Sequence, residues 1–174
     1  ERVAVVSTER VREELLRLLA VDDPRAGLGF LVEIGLLERI LPEVAALDRS
    51  SRQAAFNRVP IASGDPLDRL AALLLDLGPV EAGGRVRALR FSRRETAIVK
   101  GLVETVDRVR SGPPEGGWSA EDIRRVAFNA GELLDRALEL AVAVGADTGG
   151  LITAMGELRG VGELDDLGPA LDGG

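Results

Sequence analysis

The chain has 174 residues and a net charge of −7; 45% of the residues are hydrophobic but only 3% are aromatic. It contains neither cysteine nor histidine, which excludes disulfides, thiolate and imidazole metal ligands, His general bases and Ser-His-Asp triads. A core of Leu, Val and Ala favours packed helices over a β-sandwich, and the acidic balance weighs against a nucleic-acid binder, although the distribution of charge matters more than its sum.

Ser7 or Thr8 can cap a first helix. Val11, Leu15, Leu18 and Leu19 then share one face, and Arg10, Arg12, Glu13 and Arg17 take much of the other. Asp23-Pro24 reads as an N-cap followed by Pro at the first helical position. This opens a helix carrying Leu28, Leu31 and Val32 that stops at Gly35. A short segment, Leu36 to Leu41, ends at Pro42. Asp48 to Gly64 is polar and weakly periodic, and reads as a loop with one helical turn around Gln53 to Asn57. Asp65-Pro66 repeats the cap-then-Pro signal, and that helix runs through Asp76 to a stop at Gly78-Pro79. Glu81 to Gly84 reads as a turn.

Ser92-Arg93-Arg94-Glu95 spells a capping box. The helix behind it is expected to bury Ile98, Leu102, Val106 and Val109. Residues 112–118 read as a Gly/Pro hinge. Ser119 caps the next helix, with Asp122 at its third position and Trp118 and Ile123 placed for a hydrophobic staple. Two more helices cover about Gly131 to Val144 and Asp147 to Leu158, and the Gly/Asp-rich tail from Gly160 reads as loose. The expected fold is therefore all-α and mostly antiparallel, with about seven helices and no sheet.

No apolar run reaches the roughly 18 residues of a membrane span. Glu1-Arg2-Val3 does not open a signal peptide, and the chain lacks an initiator Met. It is expected to be a cytoplasmic piece of something longer.

Three groups of residues are candidate sites. The first is Asp76 in "RLAALLLDLGPV", Arg69 to Val80. It could serve a metal only with further ligands from other helices, and none of those can be His. Asp76 also lies near a helix C-terminus, where an acid is mildly unfavourable, so this helix reads as core packing. The second is "GRVRALRFSRRETAIVK", Gly84 to Lys100, with Arg85, Arg87, Arg90, Arg93, Arg94 and Lys100 and one acid, Glu95. Arg93 and Arg94 stand in the first turn of a helix, where the dipole disfavours cations but backbone N–H groups suit phosphate. An anion would offset that cost; the alternative is a solvated arginine face. The third is Arg124-Arg125, whose side chains point about 100° apart on a helix. The remaining acids are scattered and pair into no acid/base site. No phosphate loop or nucleophile elbow is present, and "GVGELDD" from Gly160 follows no strand.

The residues also carry a family resemblance. "STERVREELLRLL" (Ser7 to Leu19) resembles the S-x-E-R-I-x-x-E-L-x-K-L-L helix behind the catalytic head of class II tRNA nucleotidyltransferases, the CCA-adding enzymes, which have bacterial poly(A) polymerases as close relatives. "DPRAGLGFLVEIGLLERILPEVAAL" (Asp23 to Leu47) is similar to their next segment, and "RLAALLLDLG" to their R-L-A-A-L-L-H-D-I-G-K helix. "VRALRFSRRE" (Val86 to Glu95) resembles L-R-x-L-R-x-S-N, with Arg93 in place of Asn. "PALDGG" resembles the opening of a further motif. The departures are the loss of the His-Asp pair, which stands here as Leu75-Asp76, and of an H-x-x-x-H-T-type segment between Asp48 and Asp65.

The resemblance implies a neck-like region over 1–47, a degenerate HD-like helical region over 48–111, the hinge at 112–118, and a helical body with a loose tail over 119–174. It implies a non-catalytic piece that positions a tRNA or other RNA 3′ end for a catalytic head on the same polypeptide. Phosphate contacts would come from Arg87, Arg90, Arg93, Arg94, Lys100, Arg124 and Arg125. No metal or cofactor is expected in this chain; Mg2+, with CTP or ATP as substrate, would belong to the head. The rival reading is a protein–protein scaffold derived from an inactive HD phosphohydrolase.

Overall fold

The computed structural model describes residues 7–113 and 117–160. Residues 114–116 of the expected hinge, the tail after Gly160 and the closing "PALDGG" lie outside the described residues. Eleven α-helical segments follow in order: α1 (Thr8–Ala20), α2 (Arg25–Glu33), α3 (Leu37–Ile40), α4 (Pro42–Ala46), α5 (Arg49–Arg58), α6 (Pro66–Leu74), α7 (Gly78–Ala88), α8 (Arg93–Arg110), α9 (Ala120–Ala130), α10 (Leu134–Ala143) and α11 (Gly149–Gly160). Short 3-10 turns lie at Val59–Ile61, Leu75–Leu77 and Gly131–Leu133, and no strand occurs among the described residues. The fold is all-α, as expected from the sequence. The segments outnumber the expected seven because short helices fill stretches that lack a clear apolar period.

Most start signals act as the sequence suggests. Ser7, Asp65, Ser92 and Ser119 each accept a bond from a first-turn N–H. Asp23 accepts from the Arg25 N–H at 3.1 Å, one residue ahead of the assigned cap, a normal scatter for helix ends. Trp118 packs on the edge of the core, with the Arg108 guanidinium 4.9 Å from its ring.

Two local expectations are corrected. Asp48 to Gly64 is not mainly loop: α5 occupies Arg49–Arg58, capped by the Asp48 carboxylate, which accepts from the N–H groups of Ser50 and Ser51 at 2.8 and 3.0 Å. Only Ala55 and Phe56 of α5 are buried, so the apolar stripe was too thin to read. Pro42 ends the Leu36–Leu41 segment as expected, and it also opens α4 at its first position, the place where a missing N–H does no harm. Glu81 to Gly84 is not a turn but the middle of α7, because Ala82, Gly83 and Val86 are buried and that packing overrides the glycines' poor helix propensity. The stem of Lys100 in α8 lies over Gly83, with its Cβ, Cγ and Cδ each 3.5 Å from where a Cβ would stand, so the two helices fold back on each other.

α6 is the centre. Every residue from Asp68 to Leu75 is buried, and the helix packs against α1, α5, α8 and α10. Two of its buried residues are charged, and both are satisfied. Asp68 accepts from the Arg136 guanidinium of α10 and from the Ser63 hydroxyl, each at 2.5 Å. Arg69 donates to the carbonyls of Leu19 at 2.7 Å, Ser63 at 3.0 Å, and Val21. Leu19 and Val21 lie at the C-terminal end of α1, where carbonyls lack intrahelical partners.

Four helix ends close with a residue in the left-handed conformation. Gly35, Gly112 and Gly145 take φ of 68°, 75° and 80°, and each N–H returns to the carbonyl three residues back at 3.0 Å. The end of α7 closes in the same way, with the Arg90 N–H on the Arg87 carbonyl at 3.0 Å and the Phe91 N–H on the Val86 carbonyl at 3.3 Å. This is the usual glycine-tipped helix stop, but here the left-handed residue is Arg90, at φ 62°, the one non-glycine at positive φ among the described residues. An L-residue gives up roughly 1–2 kcal/mol in that conformation.

Candidate functional site

The corner between α7 and α8 gathers the basic residues that the sequence singled out. Leu89 and Phe91 are buried and pin the corner to the core. Arg90 between them is exposed, as are Arg87 in the last turn of α7 and Arg93 and Arg94 in the first turn of α8. None of these four guanidinium groups has an ion-pair partner among the described residues. Lys100 is exposed two turns further along α8.

The helix start is less open to an anion than its sequence suggests. The capping box is complete: the Glu95 N–H donates to the Ser92 hydroxyl at 3.2 Å, and the Ser92 N–H donates to the Glu95 carboxylate at 2.7 Å. Those bonds use two first-turn donors and leave the N–H groups of Arg93 and Arg94. The bond from the Ser92 N–H is the largest influence holding the Glu95 carboxyl below its usual range; burial opposes it, and the Ser92 hydroxyl and nearby Arg12 add to it. Glu95 is therefore a carboxylate inside the basic corner, and grip there must come from the guanidinium groups.

Arg12 is the residue that sequence reasoning missed. On the sequence alone it belongs to the polar face of α1. Its guanidinium reaches across to the corner, donates to the Arg90 carbonyl at 2.7 Å, and lies 6.0 Å from the Phe91 ring centroid, within reach of a cation–π attraction. The 78 positions between the partners left no local signal.

Arg124 and Arg125 stand elsewhere. Arg125 is paired with Glu121 of α9 at 2.7 Å, and Arg124 is half-buried and engaged. Arg125 lines a groove of about 330 Å³ with Pro79, Glu104 and Arg108. That groove is toward the far end of α8, about 22 Å along the helix from Arg93 at 1.5 Å per residue. The structure does not bring this pair to the α7–α8 corner.

Leu75 is buried in the core, as the packing reading of its helix expects. Asp76 does more than fill space. Its two carboxylate oxygens accept from Arg58 at 2.5 Å and Arg110 at 3.2 Å. Burial raises its pKa, but these two guanidinium groups outweigh that and hold it below the ordinary carboxylate value. They also offset its unfavourable place at a helix end. No group of three acidic side chains able to hold a metal ion forms among the described residues.

Residues 1–47 match a family model, PolyA_pol_RNAbd, described as the probable RNA and SrmB-binding site of polymerase A. The matched stretch contains α1 to α4 and therefore Arg12. It supports a likeness to the poly(A) polymerase family over those 47 of the 174 residues. No curated protein and no solved structure matches the chain.

Proposed function

We propose that this chain is an RNA-positioning neck and body of a poly(A)-adding or CCA-adding nucleotidyltransferase. The observation that carries this reading is the contact between Arg12 and the Arg90 carbonyl. It joins the segment similar to an RNA-binding region to the corner that presents Arg87, Arg90, Arg93 and Arg94. Guanidinium groups bind phosphate through paired N–H donors, and such contacts fix the register of a strand without reading its bases. The catalytic head, with its Mg2+ and CTP or ATP, would act on the RNA 3′ end that this piece holds. A basic corner on a chain of net charge −7 suits this work, because acidic surface elsewhere repels RNA from wrong orientations.

A titration of labelled tRNA at several salt concentrations tests the reading. The wild-type chain should bind with strong salt dependence, and R93A/R94A should flatten the slope of log K against log salt by about 1 to 2. Equal slopes would remove the corner from RNA binding.

The scaffold reading draws support from a different surface. Phe30 and Ile34, one helical turn apart, are 57% and 53% exposed, an apolar pair that suits a protein partner. It predicts no measurable RNA affinity in the same titration.

A further inference from the structure

The chain meets the same geometric demand four times and answers it with glycine at Gly35, Gly112 and Gly145, but with arginine at Arg90. Nothing in the fold needs that side chain. It is exposed and has no ion-pair partner among the described residues, and the turn's own bonds use only the backbone N–H groups of Arg90 and Phe91. A strained residue whose side chain does nothing for the fold points to a use outside the chain. Its neighbours indicate what that use is: Arg93 and Arg94 stand beside it, and Arg12, from the segment similar to an RNA-binding region, holds its carbonyl.

We propose, resting on the RNA reading above, that Arg90 is a strained phosphate contact that trades fold stability for RNA grip, and that Arg12 is the positioning residue that holds it. Arg12 can do this because it is fixed twice, by its bond to the Arg90 carbonyl and by the buried Phe91 ring beneath it. A left-handed residue left to itself would sample other conformations; a guanidinium on its carbonyl restricts them, so less ordering remains to be done when RNA arrives.

The full chain tests this with two measurements, thermal unfolding and binding of a labelled tRNA transcript across salt. R90G should raise Tm by about 2–4 °C, the shift that relief of a single strained residue gives in a domain of this size. The same variant should flatten the salt slope by about 1. R90K keeps the charge and the strained backbone, so it should restore most of the slope without the gain in Tm. R12K separates positioning from plain support: it should weaken RNA binding several-fold when Arg90 is present and have no further effect when combined with R90G. A merely structural Arg12 would weaken binding equally in both backgrounds, and that result would overturn its role. If R90G binds with the wild-type slope while R93A/R94A flattens it, the Arg90 proposal falls and the RNA reading stands. If the wild-type chain binds no tRNA, both fall.

Discussion

The guanidinium of Arg69 donates to the carbonyl of Leu19 at 2.7 Å across fifty residues of sequence. It closes the open end of α1 from inside α6, and adds bonds to the carbonyls of Val21 and Ser63. Replacing it with methionine keeps the volume and strands those acceptors. R69M should therefore lose about 2–3 kcal/mol, since bonds from a charged donor are at stake and their acceptors are left unpaired. Urea denaturation should show a lower midpoint at unchanged slope; an unmoved midpoint would mean that water serves those carbonyls equally well.

Acid should act through Asp76. Its carboxyl is held below the ordinary value of 3.8 by Arg58 and Arg110, against the effect of burial. A depressed folded-state value means that the stabilisation is fully present above 3.8 and disappears as pH falls through the lower value of the folded state. D76N should cost about 1 kcal/mol at neutral pH, the scale of a partly exposed pair. As pH falls below 3.8 and through the lower folded-state value, the difference from wild type should shrink toward zero. A gap that stays constant with pH would show that the loss comes from packing and not from charge.

Ser92 anchors the helix that carries Arg93 and Arg94. S92A removes the acceptor of the Glu95 N–H and should cost about 1 kcal/mol, the usual value of an N-cap. Calorimetry can read this directly. S92T, which keeps the hydroxyl, should recover most of it.

Arg125 supplies a contrast to the corner. Its partner Glu121 lies at 2.7 Å and is itself exposed, so the pair is close to neutral toward an approaching polyanion. R125A should leave the tRNA salt slope unchanged within about 0.3, against the expected loss of about 1 per phosphate contact. A drop as large as that of R93A/R94A would show that RNA extends along the whole of α8.

Local signals were enough for the architecture and for the basic residues of the corner, but not for the contacts that assemble them. Ser92 and Glu95 sit three residues apart, so their capping box could be read directly. The all-α class followed from the apolar stripes of α1 and α8. By contrast Glu81 to Gly84, inside α7, reads as a turn, because Gly83 and Gly84 break helices locally and the packing that restores the helix comes from Lys100 and its neighbours on α8. Arg90 could be chosen for its charge, but its left-handed backbone carries no glycine to announce it, and its tie to Arg12 spans 78 positions that no short window contains. The same holds for Asp76, whose partners Arg58 and Arg110 lie 18 and 34 positions away.

The central place of α6 bears on how the molecule can be divided. Its charged residues reach α1 through Arg69 and α10 through Asp68, the turn that follows it reaches α5 and α8 through Asp76, and one continuous core runs from Leu15 to Met155. A fragment cut after residue 47 would expose the underside of α1 and leave Arg69 buried against missing acceptors in the remainder. The stretch that matches an RNA-binding family is thus a unit of sequence without being a unit of folding. Native-state hydrogen exchange should find the α6 amides opening only when the whole molecule does, and a tryptic fragment ending near residue 47 should not persist as a folded species.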